Sequence, residues 1–253
     1  MSEALLTGAL VTGAPRRIGR ALALTAADAG FDVALHARAH DADVDSLIAE
    51  IAAKGRKAVA VIGDLADSET PARLIAEANR ALGPLGLLVN NASLFDDDRI
   101  ETLTAASFDA HIGANLRAPI LLSQAFAAQV PAGAHALIVN ILDQRVWKPT
   151  PQHFSYAISK AALLQATQMM AQALAPNIRV NGIGPGPTLP AIHQTEATFA
   201  AEAAGVLLQR HAAPAEIAHA LRYLIDAGAV TGQMIAVDAG QHLAWRTPDI
   251  IAP

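Results

Sequence analysis

Short apolar runs alternate with longer stretches of helical period from one end of the chain to the other, and no other property restricts its folding so strongly. Strand-like runs fall at 6–11, 32–36, 57–62, 87–90, 136–141, 178–181 and 233–237. Helical periods fill 18–29, 44–54, 71–82, 104–129 (despite Pro119), 155–174 and 214–226. Such alternation specifies parallel strands joined by right-handed helical crossovers. It predicts a doubly wound α/β sheet with helices on both faces and ligands at the carboxyl ends of the strands. The run GPGPTLP at 184–190 breaks the pattern and opens an irregular insert reaching about residue 208. That insert is either a plain connection or a flap over a site; we take 184–208 as a substrate flap. No repeat or linker divides the chain, so one domain is expected over 1–253.

Composition narrows the partners. A chain that is 53% hydrophobic and 16% charged suits a sheet covered on both faces. Aromatics at 4% and a net charge of −5 weigh against a nucleic-acid partner. Cysteine is absent, which removes disulfides and thiolate chemistry. The nine histidines show no tight ligand spacing, so no metal is expected. No basic and apolar leader stands before a cleavage site, and no run approaches the ~18 apolar residues of a membrane span. The expectation is a soluble cytoplasmic protein with no membrane partner.

The first strand leads into TGAPRRIG at 12–19, where Gly13 and Gly19 flank a strand-to-helix turn. Backbone N–H groups and the helix dipole at such a turn attract a pyrophosphate. Arg16, Arg17 and Arg20 lie at the end of the helix that disfavours cations. They either converge on a bound anion or point into solvent; we take the anion. The second strand leaves through His36 and Arg38 with no acid before Asp41. An NAD site usually offers an acid there to the ribose 2′-OH, so a basic Arg38 suits the 2′-phosphate of NADPH. Asp64, followed by Leu65 at the end of the third strand, is placed to accept from the adenine amine.

Farther along, Tyr156 and Lys160 in YAISK stand four apart on one helix face, with Asp143 thirteen residues before the tyrosine. An ammonium beside a phenol favours the phenolate and makes the group a usable acid or base near neutrality. Alone, this pair is also what an ordinary surface helix carries.

In order and spacing, TGAPRRIG, DL at 64–65, NNAS at 90–93, Asn115, YAISK, PGPT at 185–188 and TGQMIAVDAG at 231–240 together resemble the short-chain dehydrogenase/reductase family over nearly the whole chain. The resemblance implies a single-domain Rossmann fold of seven parallel strands, often assembled as a homotetramer. It implies cofactor contacts from Gly13, Arg16, Arg17, Ile18 and Gly19 in the first turn. Further contacts would come from His36 and Arg38, from Asp64 and Leu65, and from Asn91, Ala92 and Ser93. Tyr156, Lys160, Pro185, Gly186 and Thr188 complete that set, with Asn90 expected against the adenosine side. Asn115 would join Asp143, Tyr156 and Lys160 in the catalytic group by holding a water that links Lys160 to solvent.

Two positions depart from the family pattern. Arg17 occupies the usual second glycine of the turn, and Asp143 occupies the usual catalytic serine. Both departures resemble the pteridine reductases and the related dihydromonapterin reductases. Phe95 falls where that branch stacks an aromatic ring on the pterin, although a Phe at this point is also ordinary wall packing. A serine can donate to a forming alkoxide, whereas an ionised aspartate only accepts. Asp143 therefore suits a substrate that presents N–H groups and is reduced at C=N, or else marks a site that has lost its activity. The expected substrate is a pterin-like heterocycle held by Arg17, Ser93, Phe95, Asp143 and Tyr156. Alternatives are a short-chain reductase of another carbonyl or imine, and a silent dinucleotide-binding scaffold. Asp96, Asp97 and Asp98 read most simply as a solvated acidic turn, although the run could cap the following helix or border the substrate entrance. Gln144, Arg145 and Trp147 follow Asp143 and could line the pocket, with no motif to support that; His193 and Gln194 in the flap have no assigned role.

Overall fold

The computed structural model describes residues 6–190 and 195–245. His193 and Gln194 lie outside the described residues. Seven strands form one parallel sheet in the order β3-β2-β1-β4-β5-β6-β7. They are β1 (Gly8–Val11), β2 (Asp32–Ala37), β3 (Ala58–Ile62), β4 (Leu85–Asn90), β5 (Ala136–Ile141), β6 (Ile178–Pro185) and β7 (Met234–Val237). Sequence order reverses between β1 and β4, and this switch opens a crevice beyond the strand ends.

Helices clothe both faces. The set comprises α1 (Arg17–Asp28), α2 (Ala42–Ala53), α3 (Thr70–Leu82), α4 (Ala105–Ile112), α5 (Ala118–Gln129), α6 (Phe154–Leu174), α7 (Glu196–Gly205) and α8 (Pro214–Asp226). Alternation along β1 divides the core: Ala9 and Val11 pack with Leu22, Leu47 and Leu221 of α1, α2 and α8. Leu10 faces the other way, toward Leu74, Leu122 and Phe126 of α3 and α5. A strand buried on both sides carries no polar face, which is why these runs are continuously apolar.

Local chemistry sets the helix ends. Asp41 accepts from the N–H groups of Asp43 and Val44 at the start of α2, and Thr104 and Ser107 make reciprocal bonds at the start of α4. Pro119 is tolerated because it stands in the first turn of α5, just after a π-helical turn over Gly113–Arg117.

Three expectations change. The insert is not irregular throughout, since Gly184 and Pro185 finish β6 and the alanine-rich 196–205 forms α7 behind a Thr195 cap. Asn90 does not turn toward a cofactor: its amide donates to Asn140 Oδ1 at 2.8 Å and to Ser123 Oγ at 3.3 Å inside the protein. Asp98 is not solvated but buried, and it caps α6 from a distant loop. Its Oδ1 accepts from Ser155 N at 2.9 Å, its Oδ2 from Ser107 Oγ at 3.1 Å, and its carbonyl from Phe154 N at 3.0 Å. Burial opposes the charge, but the bonds from Ser155 and Ser107 outweigh it and hold the carboxyl below its ordinary range. His111 steadies the same loop by accepting from Asp96 N at 3.2 Å.

Asp98→Ala leaves the Ser155 amide of α6 and the Ser107 hydroxyl without this acceptor and is expected to cost about 1–2 kcal/mol of folding free energy. Urea unfolding at neutral pH reads this. Because the folded carboxyl titrates below the unfolded one, the difference between parent and variant should shrink as pH falls through the carboxylate range.

Candidate active site

The crevice is built from the segments that leave β1, β4, β5 and β6. Thr12, at the end of β1, ties the first two together, for its hydroxyl oxygen accepts from Asn91 N and Ala92 N, each at 2.9 Å. Asn91 returns the link by donating to Thr12 O at 2.8 Å and Gly13 O at 3.1 Å. Gly13 has φ +61, and a Cβ on Gly19 would meet Gly13 O at 2.0 Å, so this turn admits only the bare backbone. The first turn of α1 has no capping side chain, which leaves its N–H groups available to an anion. A Cβ on Gly186 would likewise strike Asp238 Cα at 2.7 Å. These features fit a dinucleotide laid over backbone.

The arginines do not converge as expected. Arg16 pairs with Asp41 at 2.7 Å and also with Asp43, and Arg20 pairs with Glu50 and Ser46 of α2. Attractive partners on α2 outweigh the unfavourable dipole of α1. Arg17 has φ +53, the left-handed region that a glycine would take without strain. Its guanidinium donates to Pro190 O at 3.0 Å and Leu189 O at 3.2 Å, joining the turn to the start of the insert. Ile18 packs against the core.

At the adenosine end, His36 is buried and uses both ring nitrogens. Nδ1 accepts from Gly13 N at 3.3 Å and Nε2 lies 3.0 Å from Gly63 O, an arrangement that requires the proton on Nε2. Burial pushes this imidazole below its ordinary value. Arg38 is well exposed, 4.0 Å from Asp64, and Leu65 is buried beside them.

At the other end, Asp143 and Tyr156 meet. The phenol donates to Asp143 Oδ2 at 2.8 Å. Burial and then the neighbouring carboxylate hold Tyr156 well above the ordinary tyrosine range. Lys160 does not reverse this, and the carboxylate beside the phenol, which opposes phenolate, prevails over its charge. Its Nζ donates to Ile141 O at 2.7 Å and stands 5.7 Å from the Tyr156 ring centroid. Burial draws the ammonium down to about 8. Asn115, in the wide π turn, accepts from Leu94 N at 2.8 Å and Ser93 Oγ at 3.1 Å, and donates to Leu94 O and to Ser159 Oγ. Its side chain thus clamps the segment after β4 to α6.

Phe95, carried on that segment, meets Tyr156 edge-on at 4.7 Å, while His153 stacks on it at 4.1 Å. Its ring is 39% exposed. Arg145 Cζ lies 5.6 Å from the Phe95 centroid, and its Nη1 lies 3.4 Å from Asp143 Oδ2. Thr188 is buried and donates to Gly186 O at 3.0 Å beyond Pro185. Thr12 and His153 were not foreseen as parts of this assembly. Only Thr12 had a readable signal, as the hydroxyl residue opening the glycine turn. Among the described residues no group of His, Asp and Glu could hold a metal ion, and no helix is long and apolar enough to cross a membrane.

A parallel sheet with a bare-backbone turn at its switch point and a buried Tyr–Lys pair defines a nucleotide-dependent oxidoreductase of the short-chain type. The short chain dehydrogenase family matches residues 7–201, and the chain belongs to that family. A short-chain dehydrogenase/reductase of Armillaria gallica is 33% identical, covering 92% of this chain and 94% of its own. L-xylulose reductase of Mesocricetus auratus is 34% identical, with 92% and 95% covered. The structure of FolM alternative dihydrofolate reductase 1 from Brucella canis, complexed with NADP, superposes with a TM-score of 0.92 at 43% identity, covering 96% of this chain and 97% of that one.

The buried Lys160 ammonium gives a pH signature with a definite sign. Its folded pKa, about 8, lies below the ordinary lysine value of 10.5, so the unfolded chain binds more protons between them. Stability of the cofactor-free protein should rise with pH across that window. Melting temperatures of the parent and Lys160→Met should move toward the parent's favour between pH 8 and 10; parallel curves would contradict the assignment.

Proposed function

We propose that this protein is an NADPH-dependent reductase of a pteridine-type heterocycle, acting at a C=N bond. The observation that carries the reading is the 2.8 Å bond from the Tyr156 hydroxyl to Asp143 Oδ2. Reduction of C=N adds hydride to carbon and a proton to nitrogen. NADPH, when bound, supplies the hydride. Tyr156 holds the proton at Oη, and the carboxylate beside it keeps the phenol protonated until hydride addition to the carbon would make the substrate nitrogen basic enough to take it. Placed beside a forming alkoxide, the same carboxylate would be repulsive, which weighs against simple ketones. The likeness to a FolM alternative dihydrofolate reductase supports the same substrate class.

The residues that would hold NADPH are Gly13, Ile18 and Gly19 at the pyrophosphate, Arg17 at the rim of that turn, and His36, Arg38, Asp64 and Leu65 around the adenosine. Arg16, engaged with Asp41 and Asp43, would reach it only by leaving them. Asn91, Ala92, Ser93, Lys160, Pro185, Gly186 and Thr188 would line the nicotinamide half. Ser93, Phe95, Arg17, Asp143 and Tyr156 would meet the heterocycle, and Asn115 would hold a water linking Lys160 to solvent. The residues from 186 to 208 would act as the flap.

A homotetramer belongs to the same proposal. Ile120, Ile158 and Met169 expose apolar side chains on α5 and α6, a cost that self-association would remove. Light scattering coupled to size exclusion should report several copies per particle, and Met169→Glu should reduce that number.

The functional test is the loss of NADPH absorbance with dihydrobiopterin, dihydromonapterin, dihydrofolate and a panel of ketones. Turnover confined to ketones would overturn the heterocycle. Tyr156→Phe should lower kcat by about 10²-fold or more while leaving NADPH affinity near that of the parent.

A further inference from the structure

We propose that Arg145 is a positioning residue: it fixes the Asp143 carboxylate against Tyr156 and so governs delivery of the phenolic proton. This rests on the reductase reading above and extends it to a residue with no family precedent in the motifs.

Arg145 holds Asp143 at both oxygens. Its backbone N–H donates to Oδ1 at 2.8 Å, and its Nη1 approaches Oδ2 at 3.4 Å. Oδ2 is the same oxygen that accepts from Tyr156 at 2.8 Å. The two side chains are only 18% and 13% exposed, so water and salt do little to weaken their attraction. The guanidinium also lies 5.6 Å from the Phe95 centroid, and Phe95 meets Tyr156 edge-on, which closes a ring of four contacts. Arg145 Nε is buried with no partner, an arrangement that ordinary packing would avoid.

The charged groups around the phenol make the assignment specific. Lys160, on α6, spends its Nζ on Ile141 O. His153 lies on the far contact of Phe95 and 3.7 Å from Asp97, while Asp98 is committed to the end of α6. Arg145 is the cation whose field opposes the Asp143 charge at the phenol. Without it the buried carboxylate and phenol would keep only Lys160, which also feels the Asp143 charge but donates to Ile141 O, and this favours keeping the proton.

The chain has two tyrosines, and Tyr223 is exposed on α8, so a Tyr223→Phe background leaves Tyr156 as the sole phenol. In that background, rapid pH jumps on cofactor-free protein read the tyrosinate absorbance of the folded state. Arg145→Gln should move that ionisation further upward. It should also lower kcat for dihydropterin reduction by about tenfold with KM for NADPH unchanged. Arg145→Lys should restore most of both, and adding Arg145→Gln to Asp143→Asn should lower kcat no further. Arg145→Met gives the same comparison if the glutamine variant does not fold. An Arg145→Gln protein matching the parent in both readouts, or one whose kcat falls equally in the Asp143→Asn background, would overturn the assignment. If the parent reduces no dihydropterin, the substrate reading fails, and the tyrosinate shift alone still decides the role of Arg145.

Discussion

The hydrogen bond between Tyr156 and Asp143 depends on three separate pieces of backbone arriving at one point. β5 ends at Ile141, and the chain turns at Asp143 because that carboxylate accepts from the second amide beyond it. α6 begins where it does because Asp98, brought from the loop after β4, receives its first amides. Asn115 then binds that loop to α6 through Ser159. A shift in any of these would separate the phenol from its acceptor. The polar groups that do the joining are buried, where an unmade hydrogen bond is costly, and this makes the geometry rigid.

The site also shows how burial and charge compete. In water a lysine near a tyrosine would favour phenolate. Here the ammonium is turned to a backbone carbonyl and weakened by burial, while a carboxylate touches the phenol oxygen directly. Burial of the phenol comes first, and the carboxylate in contact with its oxygen adds to it. A Tyr–Lys pair therefore does not have one fixed electrostatic meaning; the neighbour at the phenolic oxygen sets it.

Much of this was legible in the amino-acid order. The seven strands and the two-sided burial follow from periodicity and the Tyr156–Lys160 pair from helix spacing, because parallel strands and helix faces repeat regularly; Asp143 joined them through the resemblance to the short-chain family. What escaped prediction came from contacts distant in sequence. Nothing local distinguishes Asp98 from Asp96 and Asp97, yet a partner near residue 155 buries it. The arginines of α1 gave a false convergence because their acids stand on α2, in a register that the sequence does not display. The helix at 196–205 was hidden by the glycines and prolines before it, although its alanines favour that state.

Arg17 occupies a backbone conformation that glycine would adopt freely, and its guanidinium holds two carbonyls at 189 and 190. The chain accepts roughly 1–2 kcal/mol of torsional strain at this position in exchange for that reach. Replacement by glycine would relax the turn and sever the tether in one step. Backbone ease and a fixed rim are therefore competing demands on a single position, and the arginine meets the second at the expense of the first.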